Sequence, residues 1–190
     1  MTAADVESQG YATGTWSIDP VHSEVGFAVR HAMVAKVRGR FTKFEGTIVT
    51  GDDPLKSSAT ATIDPSSIST GNEQRDGHIR SADFLEVEKY PAMTYRSTGI
   101  RQDGEDYVLD GELTIKGVTR SVPLKLEVNG FGPDPMGVGK ARAGFTATGE
   151  INRMDFGVTF NGPIPGTGGV IVSEKVQLLL EIEAVLNKDE

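Results

Sequence analysis

Apolar residues fall at every second position through most of this chain, the period of a β-strand with one face toward a core. Between Trp16 and His31, Val25, Phe27 and Val29 alternate with Gly26, Ala28 and Arg30, and His31 keeps the apolar parity. The pattern recurs in Ala59, Ala61 and Ile63, in Tyr107, Leu109, Gly111, Leu113 and Ile115, and in Val122, Leu124, Leu126 and Val128. It returns in Phe145, Ala147 and Ile151, then in Val176, Leu178, Leu180 and Ile182. Phe41 and Phe44 lie three apart in one strand-like run from Phe41 to Val49, so a bulge is expected to shift the parity there.

The breaks between runs are turns with a mechanism. Asp103-Gly104 suits a tight hairpin, and Lys116-Gly117 separates two strands that should pair antiparallel. GFGPDPMG from Gly130 and NGPIPGTGG from Asn161 are rich in Gly and Pro and read as loops, not strand interior. One helix is expected within TGNEQRDGHIRSADFL, where Thr70 and Glu73 have capping-box spacing and Gly77 weakens the interior. DPSSIS from Asp64 offers a further single turn with Pro65 at its first position.

About eight antiparallel strands and one short helix define an all-β fold. A closed barrel is the expected architecture, because closure removes exposed sheet edges; a two-sheet sandwich is the alternative. Shared parity points Phe27, Val29, Leu113, Leu126, Phe145 and Leu178 inward. Barrels of eight strands can enclose one small ligand, so the inward face is a candidate binding surface.

At 190 residues one domain is expected. The opening MTAADVESQGYATGT has neither a basic n-region nor an apolar h-region and reads as a flexible tail over residues 1–15. The barrel domain is expected over 16–186, followed by a short tail at 187–190. A cytoplasmic location is the expectation, helped by the absence of cysteine. That absence also excludes disulfides, cysteine-type zinc sites, thiol nucleophiles and iron–sulfur clusters. No apolar run approaches the ~18 residues needed to span a bilayer, so no stable membrane insertion is expected. A net charge of −8 opposes binding to nucleic acid or an anionic membrane. One local exception is Arg30, Lys36, Arg38, Arg40 and Lys43, in a stretch without Asp or Glu. It reads either as a solvated strand face or as a positive rim that favours an anionic head group.

The chemistry-bearing residues are sparse. His22, His31 and His78 have no short-spaced pair of the kind a zinc site uses, so no metal site is expected. There is no Gly-x-Ser-x-Gly, and GVGKARAG from Gly137 has Ala141 where a phosphate loop needs Ser or Thr. In QRDGHIRSADFLEVEKYP, Arg75, Asp76, His78 and Arg80 form either a salt-bridged helix end or a polar cap over one barrel mouth.

WSIDPVHSEVGFAVRH followed by VRGRFTKFEGTI resembles the YceI-like polyisoprenoid-binding family. The likeness continues through SSISTGNEQRDGHIRSADFLEVEKYPAMTY, LDGELTIKGVTRSVPL, NRMDFG and VSEKVQLLLEIEAV, in order from Trp16 to Val185. Matching positions include Trp16, Asp19, His22, Gly39, Gly46, Arg75, Asp76, Arg80, Gly111, Gly117 and Arg153, whereas Leu85 stands where the family often has an aromatic residue. The resemblance implies an extended eight-stranded antiparallel β-barrel, lipocalin-like, with an apolar tunnel for a long isoprenoid chain. It implies a non-enzymatic binding protein without cofactor, whose partner is an isoprenoid lipid or quinone. The expected ligand contacts are Phe27, Val29, His31, Phe41, Phe44, His78, Phe84, Leu113, Phe145 and Phe156. Asp19 and His22 are expected to organise the turn into the first long strand, Pro20 fixing the backbone there. A metal-dependent enzyme using barrel histidines and a structural or stress protein with a filled barrel are the alternatives. Whether the chain forms a homodimer is left open.

Overall fold

The computed structural model of the protein describes residues 10–188. In chain order its strands are β1 (Gly14–Ile18), β2 (Glu24–His31), β3 (Ala35–Phe41), β4 (Phe44–Thr50), β5 (Ser58–Ile63), β6 (Ile68–Ser69) and β7 (Met93–Asp103). They continue with β8 (Asp106–Ile115), β9 (Val118–Ser121), β10 (Leu124–Pro133), β11 (Ala141–Asn152) and β12 (Val172–Leu186). One α-helix, α1 (Glu73–Arg80), lies between β6 and β7. Pairing runs β1-β4-β5-β7-β8-β10-β11-β12 and returns to β1 through Trp16↔Leu186 and Ile18↔Ala184. The result is a closed eight-stranded antiparallel barrel with one short helix. The sandwich alternative is excluded.

Of the four further strands, β9 pairs β8 and the other three lengthen the wall. β2 continues the line of β1 along β12, and β3 pairs β2 from Val25↔Phe41 to His31↔Ala35. β6 pairs β3 at Phe41↔Ile68. Between β1 and β2 the chain turns on Asp19, whose carboxylate accepts from the Val21 N–H at 2.9 Å. Ser23 then replaces a missing rung of the ladder, accepting from the Glu183 N–H and donating to the Glu183 carbonyl. The parity shift expected after Phe41 is a two-residue break at Thr42 and Lys43, which leaves both phenylalanines on the inner face.

Both expected hairpins form. Gly104 takes φ +62°, and Lys116 and Gly117 take +51° and +75°, the left-handed pair that matches strand twist in a two-residue turn. Two expectations need correction. The segment GFGP is strand, not loop: β10 runs to Pro133, with a register shift between Val128 and Gly130 and Phe131 opposite Ala143. Proline is tolerated there because β8 pairs only Leu124–Leu126 of β10, which leaves the stretch to Pro133 a sheet edge. The helix cap is Asn72, whose side chain accepts from the Arg75 N–H, while Thr70 donates its hydroxyl to Asp76.

The expected tail to residue 15 also ends earlier. Strand β1 begins at Gly14, and the Tyr11 hydroxyl donates to the Gly51 carbonyl at 2.6 Å while its ring packs edge-on against Phe131. At the other end the Asn187 N–H donates to the Thr15 carbonyl. Residues 1–9 and 189–190 of the expected tails lie outside the described residues.

The seam between β1 and β12 is sealed by Trp16, which is 1% exposed and packs with Ala143, Ala184 and Leu186. Its indole N–H donates to the Thr50 hydroxyl, which donates in turn to the Ala12 carbonyl. Two glycines admit aromatic rings onto the inner wall. A Cβ at Gly39 would lie 2.3 Å from the Phe27 ring, and one at Gly111 would lie equally near the Tyr95 hydroxyl. Gly39→Ala is therefore expected to lower stability by ~1–3 kcal/mol through overpacking. Urea unfolding checks this, and an unchanged midpoint would contradict it.

The outer wall carries ion pairs such as Arg96–Glu112 at 2.7 Å and Arg101–Asp110 at 3.0 Å. A barrel that crosses a bilayer turns its apolar residues outward. This one turns them in, and no helix among the described residues is long and apolar enough to cross a membrane.

Candidate functional site

The inward-facing side chains do not meet in the middle. They surround a cavity of about 330 Å³ whose wall is almost wholly apolar, drawn from residues of β1, β2, β4, β5, β7, β8, β10, β11 and β12, with Phe41 from β3 and Ile68 from β6. That size is within the usual range for small-molecule sites, ~300–1,000 Å³. All six residues expected to point inward line it: Phe27, Val29, Leu113, Leu126, Phe145 and Leu178. Several inward residues, among them Phe27, Phe41, Phe44 and Ala61, are only partly buried although they face the inside of a closed barrel. Their accessible surface faces the void. Toward α1 the barrel is instead packed, with Leu109, Leu113, Leu124, Ile151 and Phe156 in one cluster.

Of the expected ligand contacts, Phe27, Val29, Phe41, Phe44, Leu113, Phe145 and Phe156 line the cavity. Three do not. His31 has the right parity, but it pairs with Ala35 at the hairpin end of β2, where the strand has run past the enclosed volume, and it is exposed. His78 is exposed on α1, hydrogen-bonded to Asp83 at 2.8 Å. Phe84 packs beneath the helix, its ring 5.0 Å from His78 and 5.1 Å from Phe160. Sequence reasoning also missed lining residues. Tyr11 lies in the expected tail, Phe131 in an expected loop, and Ile79 and Leu85 in the polar helical segment, yet all four line the cavity.

That polar segment closes the barrel end. Strand β7 pairs β5 but not β6, which leaves a gap beside β6 for α1. Asp76, buried, accepts from the Thr70 N–H and hydroxyl, and Arg80 donates to the Ser66 and Ile68 carbonyls. These bonds pin α1 to β6, and Ile79 reaches the cavity. Arg153 does the same for the long loop before β12. Its guanidinium donates to the carbonyls of Val158, Phe160, Val172 and Ser173. Burial lowers its pKa, and Glu174 opposes the shift.

Polar chemistry inside is scarce. The wall has no carboxylate, histidine or lysine, and its ionisable groups are Arg153 and tyrosines. Burial pushes the Tyr95 phenol up to about 12, so it stays neutral, donating to the Leu109 and Val122 carbonyls.

The histidines are not brought together. Asp19, His22 and Glu183 place one ligand atom each within 4.8 Å of one another, and this is the group of three such side chains found among the described residues. The Arg142 guanidinium already occupies the cluster, donating to Asp19 and Asp134 at 2.8 Å and also to Glu183. A dication there would sit beside a fixed positive charge. Burial acts to raise the Asp19 pKa, but the Arg142 and His22 donors and the Val21 N–H prevail and hold it at about 2. Asp134 is lowered further, mainly by Arg142. Carboxylates with depressed folded pKa values stabilise the fold above their unfolded value and lose that contribution as pH falls through the folded one. The thermal midpoint is thus expected to hold down to about pH 4 and fall toward pH 2. Arg142→Gln should flatten that fall. An acid limb with the same slope in both proteins would remove this network as its cause.

The YceI-like domain family model matches residues 16–184. The chain belongs to this family. It is 38% identical over 169 residues to Protein YceI of Escherichia coli O17:K52:H18, covering 88% of this chain and 83% of that one. Among solved structures, this YceI-like barrel is similar to BcnA of Burkholderia cenocepacia, with a TM-score of 0.74, 26% identity, and coverage of 88% of this chain and 99% of that one. The YCEI protein of Campylobacter jejuni gives 0.69 at 30% identity, covering 90% and 96%. A polyisoprenoid binding domain from Saccharophagus degradans gives 0.63, covering 90% and 98%; at 18% identity it shows the fold.

Proposed function

We propose that the protein binds the apolar chain of an isoprenoid lipid or isoprenoid quinone inside its barrel, for carriage or sequestration. The observation that carries this reading is the void itself: partly accessible apolar side chains from many strands facing one shared volume with no acid, histidine or lysine in its wall. A filled barrel would have buried those side chains against one another. Catalysis is the weaker reading, because the wall offers no carboxylate, histidine or lysine as acid or base and burial holds the Tyr95 phenol neutral. The isoprenoid class comes from the family resemblance. In this reading Phe27, Val29, Phe41, Phe44, Leu113, Phe145 and Phe156 contact the chain, and His31, His78 and Phe84 do not.

Affinity would come from burial of the chain. At ~0.8 kcal/mol per methylene a five-carbon unit offers about 4 kcal/mol gross, part of which is offset by ordering the chain. Calorimetric titration with prenyl alcohols of ten, fifteen and twenty carbons tests it. Binding is expected to tighten at least about tenfold per added unit until the cavity is full, with a negative heat-capacity change. Affinity independent of chain length would refute the proposal.

A further inference from the structure

We propose that the barrel end formed by the β2–β3 hairpin and the loop before β12 docks on an anionic lipid bilayer. Two segments meet there. The Ala32 N–H donates to the Ile171 carbonyl at 2.7 Å, His31 pairs with Val172, and the Met33 sulfur lies against Gly169. The apex is apolar and open to solvent: Val34 is 83% exposed, Met33 61% and Phe160 41%, with Val170 and Ile171 beside them. Isolated exposed apolar residues need no explanation, but a cluster of five on one end does.

Along the two segments the charge has one sign, and an acid near the cluster, Asp83, is bonded to His78 beneath Phe160. Residues 28–40 and 158–173 contain no Asp or Glu, in a chain that has 27 acids and a net charge of −8. Arg30, Lys36, Arg38 and Arg40 all project from the outer face of the hairpin and are exposed. Lys36 reaches only the Gln177 amide, and among the described residues none of the three arginines has a carboxylate partner. Arg30 and Lys36 even stand directly opposite each other across the strand pair, an arrangement that destabilises a sheet. Arginines on the exposed edge of β3 would also discourage edge-to-edge pairing. That role does not account for Met33 and Val34 at the apex, which a guard against association would exclude.

The turn itself adds a second oddity. Ala32 and Met33 both adopt positive φ, +50° and +62°, where Asn-Gly would sit at lower conformational cost. The opposite end is different in kind: the exposed Val21 and Met136 neighbour the carboxylates of Asp19 and Asp134. An apolar apex flanked on one side by cations without carboxylate partners fits an interface between anionic head groups and acyl chains. Docking there is peripheral, not spanning. It would bring the end of the cavity wall at Val29, four residues before Met33, toward the bilayer. The proposal does not depend on what the cavity holds.

Flotation of the full chain with phosphatidylcholine vesicles, with and without about one-third phosphatidylglycerol, tests it. Binding is expected to the anionic vesicles alone and to be lost in ~0.5 M salt, where the Debye length falls to about half its physiological value. Each of Arg30→Ser, Lys36→Ser and Arg38→Ser should weaken partition about fivefold. The exposed pair Met33→Ser and Val34→Ser should weaken it at least tenfold, with circular dichroism showing the barrel intact. Met136→Ser and Val138→Ser at the opposite end should leave it unchanged. Equal binding to neutral vesicles, no binding to either, or hairpin variants that bind like the parent would overturn the proposal. So would sedimentation velocity showing a dimer that Met33→Asp dissociates, because a second copy would then own the patch.

Discussion

Arg153→Met is expected to lower the thermal midpoint by about 10 °C, the largest stability loss of any substitution considered. The guanidinium donates to four carbonyls at 2.7–3.2 Å, those of Val158, Phe160, Val172 and Ser173, and it is 5% exposed. Methionine fills similar space but leaves those carbonyls without donors, each costing ~1–3 kcal/mol where water cannot reach. Allowing for partial hydration, about 3–5 kcal/mol is lost, and at ~2–4 °C per kcal/mol in a chain of this size the shift follows. Lysine keeps the charge but not the fork, so Arg153→Lys should recover little of it. Differential scanning calorimetry at pH 7 reads both. A midpoint within the error of the parent's would show that the loop before β12 is held by something else.

Ala61→Phe is expected to leave stability within about 1 kcal/mol of the parent while weakening binding of a twenty-carbon prenyl chain about a hundredfold. Ala61 faces the cavity, is only partly buried, and lies outside the packed clusters. A ring there has a void to enter, whereas in a packed core the same change would cost ~1–3 kcal/mol. The chain then loses room. Excluding one five-carbon unit forfeits about 4 kcal/mol gross, reduced to about 2.7 once the released chain regains freedom. Leu113→Phe looks equivalent in the sequence, but Leu113 packs with Leu109, Leu124 and Ile151, so its enlargement would report on core strain as well. Unfolding measurements alongside calorimetry separate the two effects. Large destabilisation of Ala61→Phe would mean that the interior is filled, and undiminished binding would place the ligand elsewhere.

The barrel was legible because alternation is a local signal. Which face a strand turns inward needs no knowledge of its neighbours, so Phe27, Leu126 and Leu178 could be placed correctly from parity alone. Parity does not say where the barrel stops, and this is why His31 was misplaced: it keeps the face but overshoots the enclosed volume. The Gly-Pro composition of GFGP masked a strand end because a register shift there lets Gly130 and Phe131 pair with β11. The roles of Tyr11 and Arg153 rest on bonds to backbone carbonyls up to 40 and 20 residues away, which no short window displays. Exposed Met33 and Val34 carry no period at all. Their meaning comes only from the loop folded beside them.

Whether the void is a binding site is tested most directly by mass spectrometry of an organic extract of the native, folded protein, compared with a parallel extract of Ala61→Phe. The account predicts a long isoprenoid-tailed molecule in near-stoichiometric amount from the parent and little from the variant. A parent extract free of any long apolar molecule, together with no retention of added prenyl alcohol through gel filtration, would contradict it.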